Sequence, residues 1–179
     1  MVGFEYRGQI SGAQDPVVLR LPITNSATVK VGDMVYVATN GVQRITSSTL
    51  VLGCVVGIVD ANGIDLDNTS TDNYDGTWTS SSKTYVASAD NITDKKVCAQ
   101  VIADEDALFA NDADGDFTNP TDQGLLIKCT DHDQIDEDTT SATVGQFYVW
   151  KLDPDGDGDA SKCLVKIARS QTHGYEPET

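Results

Sequence analysis

Short apolar runs alternate with clusters of Gly, Asn, Asp, Ser and Thr along the whole chain. The runs are rich in Val, Ile, Thr and Tyr, whose branched or aromatic side chains pack well on a pleated surface. They predict strands over residues 4–10, 17–24, 34–38, 42–46, 50–59, 84–88, 97–102, 125–130, 146–152 and 163–169. Side chains alternate between the two faces of a strand. Cys163, Val165 and Ile167 therefore share one face, and Phe147, Val149 and Lys151 point opposite to Tyr148, Trp150 and Leu152. Asn40-Gly41, set between two apolar runs, predicts a hairpin, and Gly32-Asp33 predicts a turn into the strand that follows. Pro16 and Pro22 flank residues 17–24. Proline has no N–H for the ladder, so this strand should lie at an edge. The best helix signal covers residues 103–110, where Asp104 can cap one or two turns carrying Ala107, Leu108 and Phe109.

The pattern predicts an all-β fold: a compact β-barrel or β-sandwich with long acidic loops and at most one short helix. Residues 1–30 read as an extended N-terminal segment, 31–170 as the β domain and 171–179 as a C-terminal tail. Inside the domain, residues 60–95 read as a polar loop or flap insertion. Asp, Asn, Ser, Thr and Gly dominate there, with Tyr74 and Trp78 as its large aromatic side chains in 60–83. Loops of this length in a compact domain usually carry function. Residues 111–123 and 131–145 read as two further acidic loops.

Charge changes the picture. The chain of 179 residues carries a formal net charge of −16. Most of its acids are Asp, which favours turns and caps over helix interiors. Residues 1–59 hold three acids and four bases, whereas residues 60–159 hold 23 acids and five bases. An acidic chain repels nucleic acid and anionic membrane, so neither is expected as a partner. The start of the chain has no apolar segment of the secretory kind, and the apolar run 50–59 is interrupted by Gly53 and Gly57 and too short to span a bilayer. The near-neutral N-terminal segment is better placed to touch a partner. Phe4 and Tyr6 can bury apolar area, and Arg7 and Arg20 can pair with acidic groups.

Candidate chemistry is sparse. Cys54, Cys98, Cys129 and Cys163 each lie in or beside an apolar run, without the spacing of a zinc site. They read as small buried hydrophobes with free thiols, or as partners in one or two disulfides. Asp153-Pro-Asp155-Gly-Asp157-Gly158-Asp159 reproduces the first half of a calcium loop, with carboxylates at alternate positions and Gly at the sixth. Position 12 is Leu164, where a bidentate Glu is needed. Asp153, Asp155, Asp157 and Asp159 are thus the candidate calcium ligands, against a simpler reading as a polar hairpin turn. Asp112, Asp114 and Asp116 form a weaker alternating set, and Asp131-His132-Asp133 and Asp136-Glu137-Asp138 add further carboxylates. No nucleophile elbow or Cys–His pair is present, and no glycine-rich loop leads into a helix, so no enzymatic activity is expected. The aromatics Tyr74, Trp78, Tyr85, Phe147, Tyr148 and Trp150 read as packing or as the lining of a carbohydrate site.

Three stretches resemble a known family. Val29-Lys-Val-Gly-Asp-Met-Val-Tyr-Val, then Asn40-Gly41-Val42, then Leu52-Gly-Cys-Val-Val-Gly-Ile-Val look like the opening of tailed-bacteriophage capsid decoration (cement) proteins. Val97-Cys-Ala-Gln-Val-Ile-Ala-Asp-Glu-Asp-Ala-Leu-Phe-Ala, and the closing segments Gly145-Gln-Phe-Tyr-Val-Trp-Lys-Leu and Leu164-Val-Lys-Ile, resemble virion-associated head proteins. The resemblance covers about 29–59, 97–117 and 145–169, and brings no catalytic residues. It implies a β-barrel or β-sandwich that binds the outer face of a phage shell through the major capsid protein, as dimers or trimers, in virions assembled in a host cytoplasm. The competing expectation is a calcium-dependent carbohydrate-binding β module.

Overall fold

A computed structural model describes residues 3–11, 15–46, 49–93 and 96–168. Their strands are β1 (Glu5–Gln9), β2 (Val18–Pro22), β3 (Thr28–Lys30), β4 (Met34–Ala38), β5 (Gly41–Arg44), β6 (Gly53–Val59), β7 (Gly76–Thr79), β8 (Thr84–Ala87), β9 (Cys98–Ile102), β10 (Ala107–Asp112), β11 (Leu126–Asp131), β12 (Gln134–Ser141), β13 (Phe147–Leu152) and β14 (Lys162–Ile167). Two three-residue 3₁₀ turns, Thr71–Asn73 and Pro120–Asp122, complete the regular structure. The fold is all-β, with three antiparallel sheets in a sandwich-like arrangement. The expected tail, 171–179, and Arg169 lie outside the described residues.

The five-stranded sheet, ordered β2-β9-β6-β4-β5, is the middle layer. Met34, Cys54 and Ile102 on one face join a core built with the six-stranded sheet β1-β10-β14-β13-β11-β12. Val35, Val55 and Val101, one residue along in each strand, join a second core with the three-stranded sheet β3-β8-β7. A strand buried on both faces needs apolar residues at successive positions. That requirement accounts for apolar residues at adjacent positions, Cys54 with Val55 in β6 and Val101 with Ile102 in β9. The sheet also curls: Ile23, just beyond β2, bridges Val42 of β5, so its two ends meet part-way towards a barrel.

The expected hairpin at Asn40-Gly41 is β4–β5, with Ala38 opposite Gly41. The glycine is required by a close approach, because a Cβ at Gly41 would run into the Pro22 carbonyl.

Four sequence expectations need correction. Residues 103–110 are not a helix: Asp104 accepts from the Asp106 N–H in a tight turn, and β10 pairs with β1 and β14. One or two helical turns are marginal alone, and ladders on both sides win. Residues 134–141 are not a loop but β12, an edge strand whose fully buried side chain is Ile135. Its exposed carboxylate, Asp138, discourages pairing with other chains. The insertion at 60–95 is a flap in part only, since β7 pairs with β8 and β8 with β3 to cover the second core. Residues 1–30 are not separate from the β domain, because β1, β2 and β3 belong one to each sheet.

Candidate functional site

The N-terminal strands supply sheet edges. β1 ends the six-stranded sheet and β2 ends the five-stranded one. Their partners in the two sheets, β10 and β9, are joined by the short turn at residues 103–106. Val17 accepts, and Ile23 donates, backbone bonds on the β9 side. Backbone groups of Val18, Arg20 and Pro22 therefore point away from β9, and the missing N–H of Pro22 sits where no ladder bond to β9 is lost. Val17, Val18 and Leu19 are 55%, 48% and 37% exposed.

The four expected docking residues divide differently. Phe4 is 4% exposed and stacks on Phe147 with ring centroids 5.3 Å apart, so it builds the core and cannot be offered to a partner. Tyr6 packs edge-on against Phe109 at 6.2 Å. Arg7 pairs with Glu5 at 3.2 Å. Arg20 donates to the carbonyls of Asp60 and Ala61 at 2.7 and 2.6 Å, which ties the 60–63 turn to β2. The buried carboxyl of Asp60 orders that turn by accepting from the N–H groups of Asn62 and Ile64 and from Thr69. Burial raises its pKa, but these bonds outweigh burial and hold it below the ordinary Asp value.

The half-loop is the β13–β14 turn. Asp153 takes a positive φ of 43° and accepts from the N–H groups of Asp157 and Gly158. Asp159 accepts from the N–H and hydroxyl of Ser161. Lys162 pairs with Asp157 and, at 3.5 Å, with Asp159. These carboxylates organise their own turn. Asp155 lines a cavity of about 230 Å³ with Arg7 and Lys162.

Among the described residues, two other groups bring three possible metal-ligating atoms within 4.8 Å of one another. The first is Asp114, Asp136 and Glu137. Burial, then the nearby Asp114, pushes the Glu137 carboxyl up, and the same two causes raise Asp136. Asp114 is lowered: bonds from Glu137 and Thr130 outweigh its own burial. A protonated Glu137 donating to an ionised Asp114 accounts for this pattern.

The second group is Asp33, His132 and Asp133. Gly32, at φ +95°, makes the sharp turn that delivers Asp33 into the interior beside β4. The tight β11–β12 turn delivers His132 and Asp133, and the Met34 N–H donates to the His132 carbonyl at 2.8 Å. Sequence reading isolated His132 between two aspartates and Asp33 in a turn, but no local signal joins them.

Of the aromatics, Phe147 and Tyr85 are buried, and Tyr74 and Trp78 pack against the second core. Tyr148 and Trp150 line a shallow depression of about 500 Å³ with Gln123, Gly124 and Lys151. The four cysteines are buried free thiols. Burial pushes those of Cys129 and Cys163 up to about 12, which suits packing and not reactivity. No helix among the described residues is long and apolar enough to cross a membrane. No family model, curated protein or solved structure matches the chain.

Proposed function

We propose that this protein is a non-enzymatic decoration protein that binds the outer surface of a phage capsid as a dimer or trimer and stabilises the shell. The observation that carries the reading is the exposed apolar edge formed by Val18 and Leu19 on β2 and by Val17 just before it. A sheet edge with outward backbone groups can extend a neighbouring chain's sheet, and the apolar side chains add burial to that pairing. This edge lies in the charge-balanced part of the chain, leaving the acidic region to face solvent. The resemblance at 29–59, 97–117 and 145–169 supports the same reading. Shell symmetry multiplies modest contacts into firm retention.

Purified virions of the source, analysed by mass spectrometry, should contain the chain in a fixed ratio to the major capsid protein. Its absence would remove the proposal. Val18→Lys and Leu19→Lys should reduce retention on capsids at least tenfold while leaving the melting temperature unchanged, because both residues are exposed in the free chain. Full retention of both variants would move docking away from β2.

A carbohydrate-binding module is the second reading, favoured by the open pair Tyr148 and Trp150. A glycan array with and without calcium separates the two, since binding lost in Trp150→Ala supports the module.

A further inference from the structure

We propose that Asp33, His132 and Asp133 bind a divalent first-row transition-metal ion, Zn²⁺ by preference, which clasps the six-stranded sheet to the turn leading into β4. Asp33 is fully buried. Its Oδ2 is engaged: the Lys30 N–H and Arg44 Nε donate to it at 2.6 and 2.7 Å. Its Oδ1 makes no hydrogen bond, and neither does Nδ1 of His132, although the two lie 3.1 Å apart. Asp133 repeats the arrangement less tightly. Its Oδ2 faces Lys30 Nζ at 4.0 Å, and its Oδ1 lies 3.6 Å from the same His132 Nδ1. Each carboxylate therefore has one oxygen on the side of a base and the other turned towards the imidazole nitrogen.

A proton on Nδ1 can be aimed along one direction, and neither oxygen lies where it completes a hydrogen bond. A metal ion accepts all three atoms at once. Ligands about 2.0–2.1 Å from a tetrahedral Zn²⁺ lie about 3.3 Å from one another, close to the 3.1 and 3.6 Å found. The surroundings are those a metal ligand needs. Arg44 and Lys30 fix the carboxylates, and Asp131 lies 3.7 Å from Nε2 of His132, on the side where a carboxylate orients a ligating imidazole. One nitrogen with two oxygens favours Zn²⁺ and its neighbours over calcium or magnesium, which prefer all-oxygen sites. Arg44 and Lys30 balance the two carboxylates locally, and the chain's net charge of −16 favours the added cation. His132 and Asp133 side chains are 16% and 17% exposed, so the ion can enter from solvent and keep a water as its fourth ligand.

The test is calorimetric titration of the EDTA-treated full chain with ZnCl₂, with melting curves alongside. One equivalent should bind and raise the melting temperature, since an ion bound to the folded state stabilises it. His132→Asn and Asp133→Asn should each weaken binding more than about tenfold, and His173→Asn should leave it unchanged. Co²⁺ should give a visible d–d absorption that His132→Asn abolishes. Absence of Zn²⁺ binding at micromolar concentration overturns the proposal, as does binding that survives His132→Asn at full strength. If His132→Asn does not fold, Asp133→Asn decides by the same measure, because Asp133 lies nearer the surface.

Discussion

Glu137 shows how a single carboxyl sets a pH dependence. Burial and the neighbouring Asp114 raise its pKa in the folded chain. A carboxyl raised above its unfolded value of about 4.3 adds stability below that value and loses it as the pH rises through the folded pKa. At neutral pH the group is therefore a cost, and Asp136, shifted in the same direction, adds to it. Glu137→Gln keeps an amide donor for Asp114 and removes the charge. It should stabilise the protein at pH 7–8 by up to about 1 kcal/mol and flatten the fall in stability above about pH 4.3. Melting curves at a series of pH values check this. A variant less stable than wild type at pH 8 would show that the ionised carboxylate is needed where it stands.

At the scale of elements, β1 separates what was legible in the sequence from what was not. The pattern in residues 4–10 predicts a strand, but the charge balance around it points to a segment that touches a partner. Local pattern carries no information on which apolar face finds a partner. Phe4 is in fact enclosed by Phe147 and the six-stranded sheet. Phe4→Ala should then cost about 3–5 kcal/mol, the usual loss for a buried aromatic, as measured by urea unfolding. A loss under about 1 kcal/mol would show that Phe4 is not held in the core. The middle sheet was the easiest part to read, because burial on both faces puts apolar residues at adjacent positions of β6 and β9. β12 was hidden because one of its eight residues is fully buried, and β10 because Asp104 followed by Ala-Leu-Phe mimics a capped helix. The candidate metal centre was illegible for another reason. Asp33 and His132 are far apart in sequence, and packing of the β3–β4 turn against the β11–β12 turn is what joins them.

At the scale of the whole molecule, charge and packing are segregated. The segment 60–159 carries 23 acids against five bases. Lys83 with Asp67 and Lys162 with Asp157 neutralise part of it, but exposed pairs contribute about 0–1 kcal/mol each. With all five of its own bases counted, the segment still carries eighteen excess negative charges, so repulsion outweighs pairing. Charges at the surface are screened over about 10 Å at 0.1 M salt and about 3 Å at 1 M. Raising NaCl from low to high concentration should therefore stabilise the protein, and for a chain of this size each kcal/mol gained moves the melting temperature by about 2–4 °C. Salt also weakens the few ion pairs, but their sum is smaller, which fixes the sign as an increase. A melting temperature that falls with NaCl would mean that local pairs, and not the net charge, dominate the acidic face. If the proposed decoration of a shell holds, the same face would then offer no general repulsion between neighbouring copies, and spacing between them would have to come from the docking contacts alone.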